Sequence, residues 1–410
     1  MLLRTTTMNR GFSLFLLSAL LVCTGVVAAA CGGGDDEEEN PFGIKSEVVT
    51  PAANADAIAF TPDGRLFFVE HWTGAIRVVG TDRQLLPDPF ATLTDVAAGI
   101  GWGLSGLAID PDFANNHYVY ALYTKITQPG PPVAGTPTLV RFTEADNKAV
   151  AQSELITNLP QTDPNHPFNA NGSLHFGADG RLYFTLGDYD DAKAPGPSGA
   201  PRPQDLASPV GKMLRVSKED GSAPPDNPFV SDPAADPRVF ALGFRSAFNF
   251  TNNPATDRLY GVDSTGLTCE GVFILEPGGN YAWPNVGDFP FADCNVGRTK
   301  LPIGYLAKEG LNPGDFQSAV GATGLEFVSG AVYTTLGDGL IVCESATQQL
   351  RRLVLPAPNF DQITANDVVA RNCWLDVTAS PDGFIYYSNL TEIRRLVPAP
   401  PSESPSPQES

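Results

Sequence analysis

The chain has 410 residues, with 26 Lys and Arg against 46 Asp and Glu, a formal net charge of −20. That excess repels phosphate backbones and anionic bilayers, which argues against nucleic acid as a partner and leaves a membrane reachable only through a separate anchor. Hydrophobic residues at 42% suffice for a large core, while 40 Gly and 37 Pro with recurrent Asp-Gly turns favour many short strands over long helices.

In chain order, Arg4 and Arg10 precede an apolar run from Phe12 to Ala30, which ends Ala28-Ala29-Ala30-Cys31 and is followed by a Gly-rich acidic stretch. Basic residues, an apolar run and small residues ahead of a cleavage position mark an export segment. With a cysteine at that position it resembles a bacterial lipoprotein signal, making Cys31 the lipidated first residue. An ordinary cleaved signal and an uncleaved anchor helix are the alternatives, since the run is just long enough to cross a bilayer. All three place the folded part outside the cytoplasm. Residues 32–45 read as an acidic linker, 46–398 as the folded domain and the Pro/Ser-rich 399–410 as a disordered tail. Setting aside Cys23 and Cys31, four cysteines remain in an oxidising compartment, for which three pairings exist. Cys269 with Cys294 and Cys343 with Cys373 is the favoured one, and four buried thiols the alternative.

After the linker a pattern recurs six times: an apolar strand, a turn on Pro-Asp or Asp-Gly, a second strand rich in aromatic and β-branched residues, then a charged strand. The copies begin near Ala57, Gly106, Ser173, Ala241, Gly324 and Trp374. The third is the clearest. Leu174 and Phe176 alternate toward one face, Gly180 supplies the turn, and Leu182, Phe184 and Leu186 alternate again as in a half-buried strand. Unequal spacing suits blades with variable loops better than a solenoid of fixed repeat. The reading is therefore an all-β, six-bladed β-propeller, in which Ser46–Thr50 joins the last blade and closes the ring. With the copies aligned on their turns, the ends of the second strands carry Glu70, Tyr123, Leu186, Asp263, Glu344 and Asn389, with Asp188 just beyond Leu186. If equivalent positions converge at one mouth of the channel, Glu70, Asp263 and Glu344 are candidate oxygen ligands for calcium, a hydrated polar lining being the alternative.

The blade pattern, with GLSGLAIDPDFANNHYVYALYT from Gly103, FGADGRLYFTLGD from Phe176, GKMLRVSKEDGSAPPDNPF from Gly211, ALGFRS from Ala241 and EPGGNYAWP from Glu276, resembles the soluble glucose/sorbosone dehydrogenases that use pyrroloquinoline quinone. The resemblance covers roughly Val48 to Val397. It implies a six-bladed propeller that binds quinone and calcium at the channel mouth and oxidises the anomeric carbon of aldoses to lactones, a histidine taking the hydroxyl proton. Asp188 matches the carboxylate that orients that histidine, and Arg245 the arginine at the quinone. The histidine position itself is Asn169, an amide without useful basicity; His166, three residues away, is the substitute the sequence offers. The stretches in blades five and six where the family carries its further cations read Leu340-Ile-Val-Cys-Glu-Ser-Ala and Asn372-Cys-Trp-Leu-Asp-Val, and Gly101 stands in place of a glutamine. Arg371 and Lys212 are the cations left to compensate.

Three functions follow: a quinone-dependent dehydrogenase acting on a small sugar, as a monomer or dimer; a non-catalytic surface propeller that binds carbohydrate or protein on aromatics such as Trp102, Trp283 and Trp374; and a calcium-dependent lactonase-like hydrolase.

Overall fold

Short strands bounded by Gly and Pro cannot bury both faces alone, and here they do so by stacking sheet on sheet around an axis. The computed structural model describes residues 41–399 apart from 131–132, 167, 171, 285–292 and 296–297. Six four-stranded antiparallel sheets follow one another along the chain. Their first strands, Ile58–Phe60, Leu104–Ile109, Leu174–Phe176, Asn249–Asn252, Ala322–Val328 and Val377–Ala379, are the inner ones, contacting each other across the axis. The sixth sheet takes its outer strand from the chain start: Ile44–Pro51 pairs antiparallel with Glu392–Pro398, with a bulge between Val48 and Thr50. Ring closure by the first strand is as the sequence indicated, beginning two residues before the predicted boundary. The one helix among the described residues is Phe113–Asn116.

The turns are where the sequence put them. Gly180 has φ 69°, and the equivalent Gly64 and Gly383 have φ 90° and 86°, a conformation that disfavours any residue with a Cβ. Asp179 secures its turn by accepting from the Arg181 amide at 3.0 Å.

Two expectations change. The strand Leu182–Leu186 is buried on both faces. Leu182, Phe184 and Leu186 pack with Leu122 and Leu139 of the second blade, while Tyr183 packs with Phe250 and Phe273 of the fourth. Alternation here sorts side chains between two neighbouring blades, not between core and water. The fourth blade begins at Asn249; the segment at Ala241 instead lies in Val239–Leu242, the outer strand of the third blade. Its apolar run resembles an inner strand because this outer strand, unlike Lys148–Ile156 or Ala365–Arg371, is buried along its length.

Both favoured disulfides are present. Cys269–Cys294 and Cys343–Cys373 each have a Cα–Cα distance of 5.3 Å and close loops of 25 and 30 residues. Cys31, the expected lipidation position, lies outside the described residues, as do most of the linker and tail. Among the described residues no helix is long and apolar enough to cross a membrane.

Candidate functional site at the channel mouth

The amino-terminal ends of the inner strands, and the loops that lead into them, surround a cavity of about 320 Å³. Ile100, Phe168, Phe248 and Trp374 stand at this mouth, and Asn169, Ser173, His175, Asn249 and Asp376 also line it.

Asn169 occupies a left-handed conformation, φ 55°. Its Nδ2 donates to Asp188 Oδ1 at 3.1 Å and its carbonyl accepts from the Tyr189 amide at 3.2 Å. The loop carrying Gly101 lies against it: Ala170 donates to the Gly101 carbonyl at 3.0 Å, and a Cβ on Gly101 would come within 2.5 Å of Phe168 Cα. Close backbone approach explains why no side chain stands there. Asp188 is buried and accepts three N–H groups, from Asn169, from the Asp190 amide at 2.9 Å and from Trp283 Nε1 at 2.9 Å. Burial raises its pKa, against the opposing pull of the Arg245 charge and these hydrogen bonds.

Arg245 is on the same mouth, since its carbonyl accepts from the Asp188 amide at 2.8 Å. Its guanidinium lies 6.0 Å from the Trp283 ring, 3.4 Å from the Ser264 carbonyl and 3.9 Å from Asp190 Oδ1. His166 is beside this cluster, with Nδ1 3.1 Å from the Asp190 carbonyl. Asp188, Asn169, Arg245 and His166 are therefore brought together.

The calcium candidates are not. Glu70 pairs with Arg77 at 3.4 Å and Glu344 with Arg351 at 2.6 Å, each on the neighbouring strand of its own sheet, and Asp263 accepts the amides of Arg245 and Ser246 at 3.1 and 2.9 Å. Burial pushes the Asp263 carboxyl up to about 6. Second-strand ends lie one strand out from the axis, so Glu70 and Glu344 meet the third strand, and Asp263 a neighbouring loop, instead of each other. Among the described residues no three His, Cys, Asp or Glu side chains gather as metal ligands.

The compensating cations are also placed elsewhere. Arg371 is exposed on an outer strand, Ala365–Arg371. Lys212 is fully buried, its Nζ donating to the carbonyls of Arg202, Pro203 and Val210 at 2.7, 3.0 and 3.0 Å, and burial pushes its ammonium down to about 7. It braces the loop whose Gln204 donates to the Trp283 carbonyl at 2.6 Å. In blades five and six the cavity meets Ser345, Trp374 and Leu375 where the resemblance calls for cations, and no Lys or Arg lines it among the described residues. Of the three tryptophans, Trp102 is buried against Ala170, Tyr189 and Val210, Trp283 is the donor to Asp188, and Trp374 faces the cavity half-buried.

Sequence reasoning missed the polar groups deeper in the cavity. His71 is buried, with Nδ1 2.5 Å from Asp56 Oδ2 and Nε2 2.8 Å from the Gly99 carbonyl. Burial, the largest single effect, lowers its pKa, but the Asp56 carboxylate and the backbone acceptors together outweigh it and leave the pKa raised. His175 Nε2 is 2.8 Å from Asn249 Oδ1, and Asn249 Nδ2 donates to Asp376 Oδ1 at 2.8 Å. The signal for His175 was present, since alternation that sends Leu174 one way sends His175 the other.

The family profile described as Glucose / Sorbosone dehydrogenase matches residues 53–395. The aldose sugar dehydrogenase YliI of Escherichia coli is 22% identical over 80% of this chain and 85% of its own length. An uncharacterized Synechocystis protein is 28% identical over 56% of each chain, and the quinoprotein glucose dehydrogenase B of Acinetobacter calcoaceticus 26% identical over 60% of this chain and 53% of its own. The chain thus spans little more than half the length of two of these relatives. A solved glucose dehydrogenase superposes with TM-score 0.73 at 21% identity, covering 86% of this chain and 98% of that one. The quinone-bound aldose sugar dehydrogenase of Streptomyces coelicolor superposes with TM-score 0.66 at 20% identity, covering 87% and 99%.

Proposed function

Because the chain belongs to the glucose/sorbosone dehydrogenase family, we propose that it is an extracytoplasmic, lipid-anchored propeller that binds a carbohydrate at the channel mouth without oxidising it. The observation that carries this is the cavity lining, which among the described residues holds apolar rings, polar groups and the Asp56 and Asp376 carboxylates but no Lys or Arg, with an amide at the position of the family's base.

Pyrroloquinoline quinone is a tricarboxylate, and desolvating three carboxylates needs several cationic partners. Arg245 alone, already facing Asp190 and the Ser264 carbonyl, does not supply them. The residues present do not fit the quinone, and the three candidate carboxylates do not form a calcium cradle, so no step is routed through either. What the chain's own groups do is hold a shaped mouth. Asp188 fixes Asn169 and Trp283 from behind, and Trp374 offers a half-buried ring on which a sugar face can stack.

Aldose oxidation to a lactone with quinone and calcium is the second reading, favoured by the intact grouping of Asp188, Asn169, Trp283 and Arg245. One experiment separates the two. Titration calorimetry of the protein against a panel of aldoses is expected to show saturable binding, and quinone added with calcium is expected to elute apart from the protein. Quinone that co-elutes and bleaches when an aldose is supplied would establish the dehydrogenase instead. In that case Asn169→His should raise the rate by about two to four orders of magnitude, the usual range for general base catalysis, and His166→Ala should abolish any residual rate.

A further inference from the structure

Below the mouth, four blades meet in one hydrogen-bonded chain. Asn249 Oδ1 accepts from the Phe250 amide at 2.8 Å, which identifies it as the oxygen, and its Nδ2 donates to Asp376 Oδ1 at 2.8 Å. Asp376 is itself fixed, accepting from the Val377 amide at 2.9 Å through Oδ1 and from the Ile58 amide of the first blade at 2.9 Å through Oδ2. An amide oxygen accepts only, so His175 Nε2, 2.8 Å away, must carry the proton. Burial holds this imidazole neutral, down to about 4. A neutral ring with a proton on Nε2 carries a lone pair on Nδ1. Among the described residues that nitrogen has no hydrogen-bond partner.

Two residues earlier on the same strand face, Ser173 is 7% exposed and its Oγ has no partner either, although it is buried and lines the same cavity. Gly172 lets the chain run close enough for this, because a Cβ there would meet Thr185 Oγ1 at 1.9 Å. A buried hydroxyl without a partner costs free energy comparable to a lost hydrogen bond unless something fills the gap.

We propose that His175 Nδ1 and Ser173 Oγ form a subsite in the axial channel for a neutral, hydroxyl-bearing ligand, a ligand hydroxyl donating to Nδ1 while Ser173 takes a second hydroxyl. The subsite rests on the carbohydrate-binding reading for its ligand class but makes no use of Asp188, Asn169 or Arg245. Its chemistry disfavours anions, which meet the Asp376 and Asp56 carboxylates on the cavity wall.

The test uses protein with ¹⁵N-labelled histidine, titrated in separate samples with D-glucose and with glycerol. The His175 spectrum is expected to show the Nε2–H tautomer before addition and a saturable shift of its Nδ1 resonance afterwards. Ser173→Ala should weaken that response about tenfold, the loss of one hydrogen bond, while keeping the tautomer pattern that certifies the fold. His175→Gln, in case the alanine variant is unstable, should abolish binding of the smaller probe. Glycerol shifting His175 while glucose binds nowhere would leave the subsite standing and defeat the sugar reading. Glucose binding with His175 unmoved would do the reverse. If neither probe moves His175, or Ser173→Ala responds as the parent does, the subsite is overturned.

Discussion

At the scale of single residues, the buried carboxyls make the fold sensitive to proton concentration. Glu326, on the fifth inner strand, accepts from Thr251 Oγ1 at 3.2 Å and the Phe327 amide at 3.0 Å, and burial pushes it up to about 7 from an ordinary 4.5. A carboxyl whose folded pKa is raised favours the fold when protonated, so its contribution is complete below about 4.5 and lost as pH rises through about 7. Glu326→Gln should leave the urea midpoint near pH 5 almost unchanged and raise it near pH 8. An unaltered slope between those pH values would show that the group does not titrate there. Asp188 makes a second case. Asp188→Ala leaves three N–H donors without their acceptor, for which about 1–3 kcal/mol of stability is the expected loss. Trp283 should report it directly, since its indole is released from the carboxylate and its emission should shift to the red.

At the scale of elements, each disulfide secures a loop that the strands alone do not. Cys343 lies near the end of the second strand of the fifth blade and Cys373 follows its outer strand, so their bond ties the second strand to the outer edge of one sheet across 30 residues. Closing a loop of that length restricts the unfolded chain by about 3 to 4 kcal/mol in the loop-entropy account. The double replacement Cys343→Ser, Cys373→Ser should therefore lower the unfolding free energy by about that amount, with the sugar-titration heat retained at low temperature. A change well under 1 kcal/mol would mean that the buried cluster around Tyr333, Leu350 and Tyr387 holds the sheet by itself.

For the whole molecule, stability depends on closure. The strand Ile44–Pro51 pairs the chain's beginning with its end, and Glu47 and Ser46 add side-chain bonds to Arg395 and Arg394 across the seam. Removing residues 44–51 exposes the edge of Glu392–Pro398 and leaves the sixth sheet with three strands. Hydrogen exchange should then accelerate first in the sixth blade and its neighbours, and the thermal transition should broaden. Uniform exchange across all blades would instead indicate that the ring unfolds as one unit whichever seam is cut.

The sequence alone determined the six-fold repeat, the turns and the closing strand, because each depends on local periodicity or on glycine at positive φ, and among three possible cysteine pairings it favoured the one that the structure contains. It also singled out Asp188, Asn169 and Arg245 in short motifs, and the structure brings them to one mouth. Only the tertiary structure decided which polar side chains meet. Glu70, Asp263 and Glu344 occupy equivalent places in the repeat, yet Glu70 and Glu344 pair with arginines of their own sheets and Asp263 with the amides of the loop ahead of its blade. His175, Asn249 and Asp376, separated by scores of residues and belonging to three blades, form one relay because ring closure brings the ends of the inner strands to a common axis. Periodicity fixes the face on which a side chain stands, whereas the identity of its neighbour depends on how the blades are stacked.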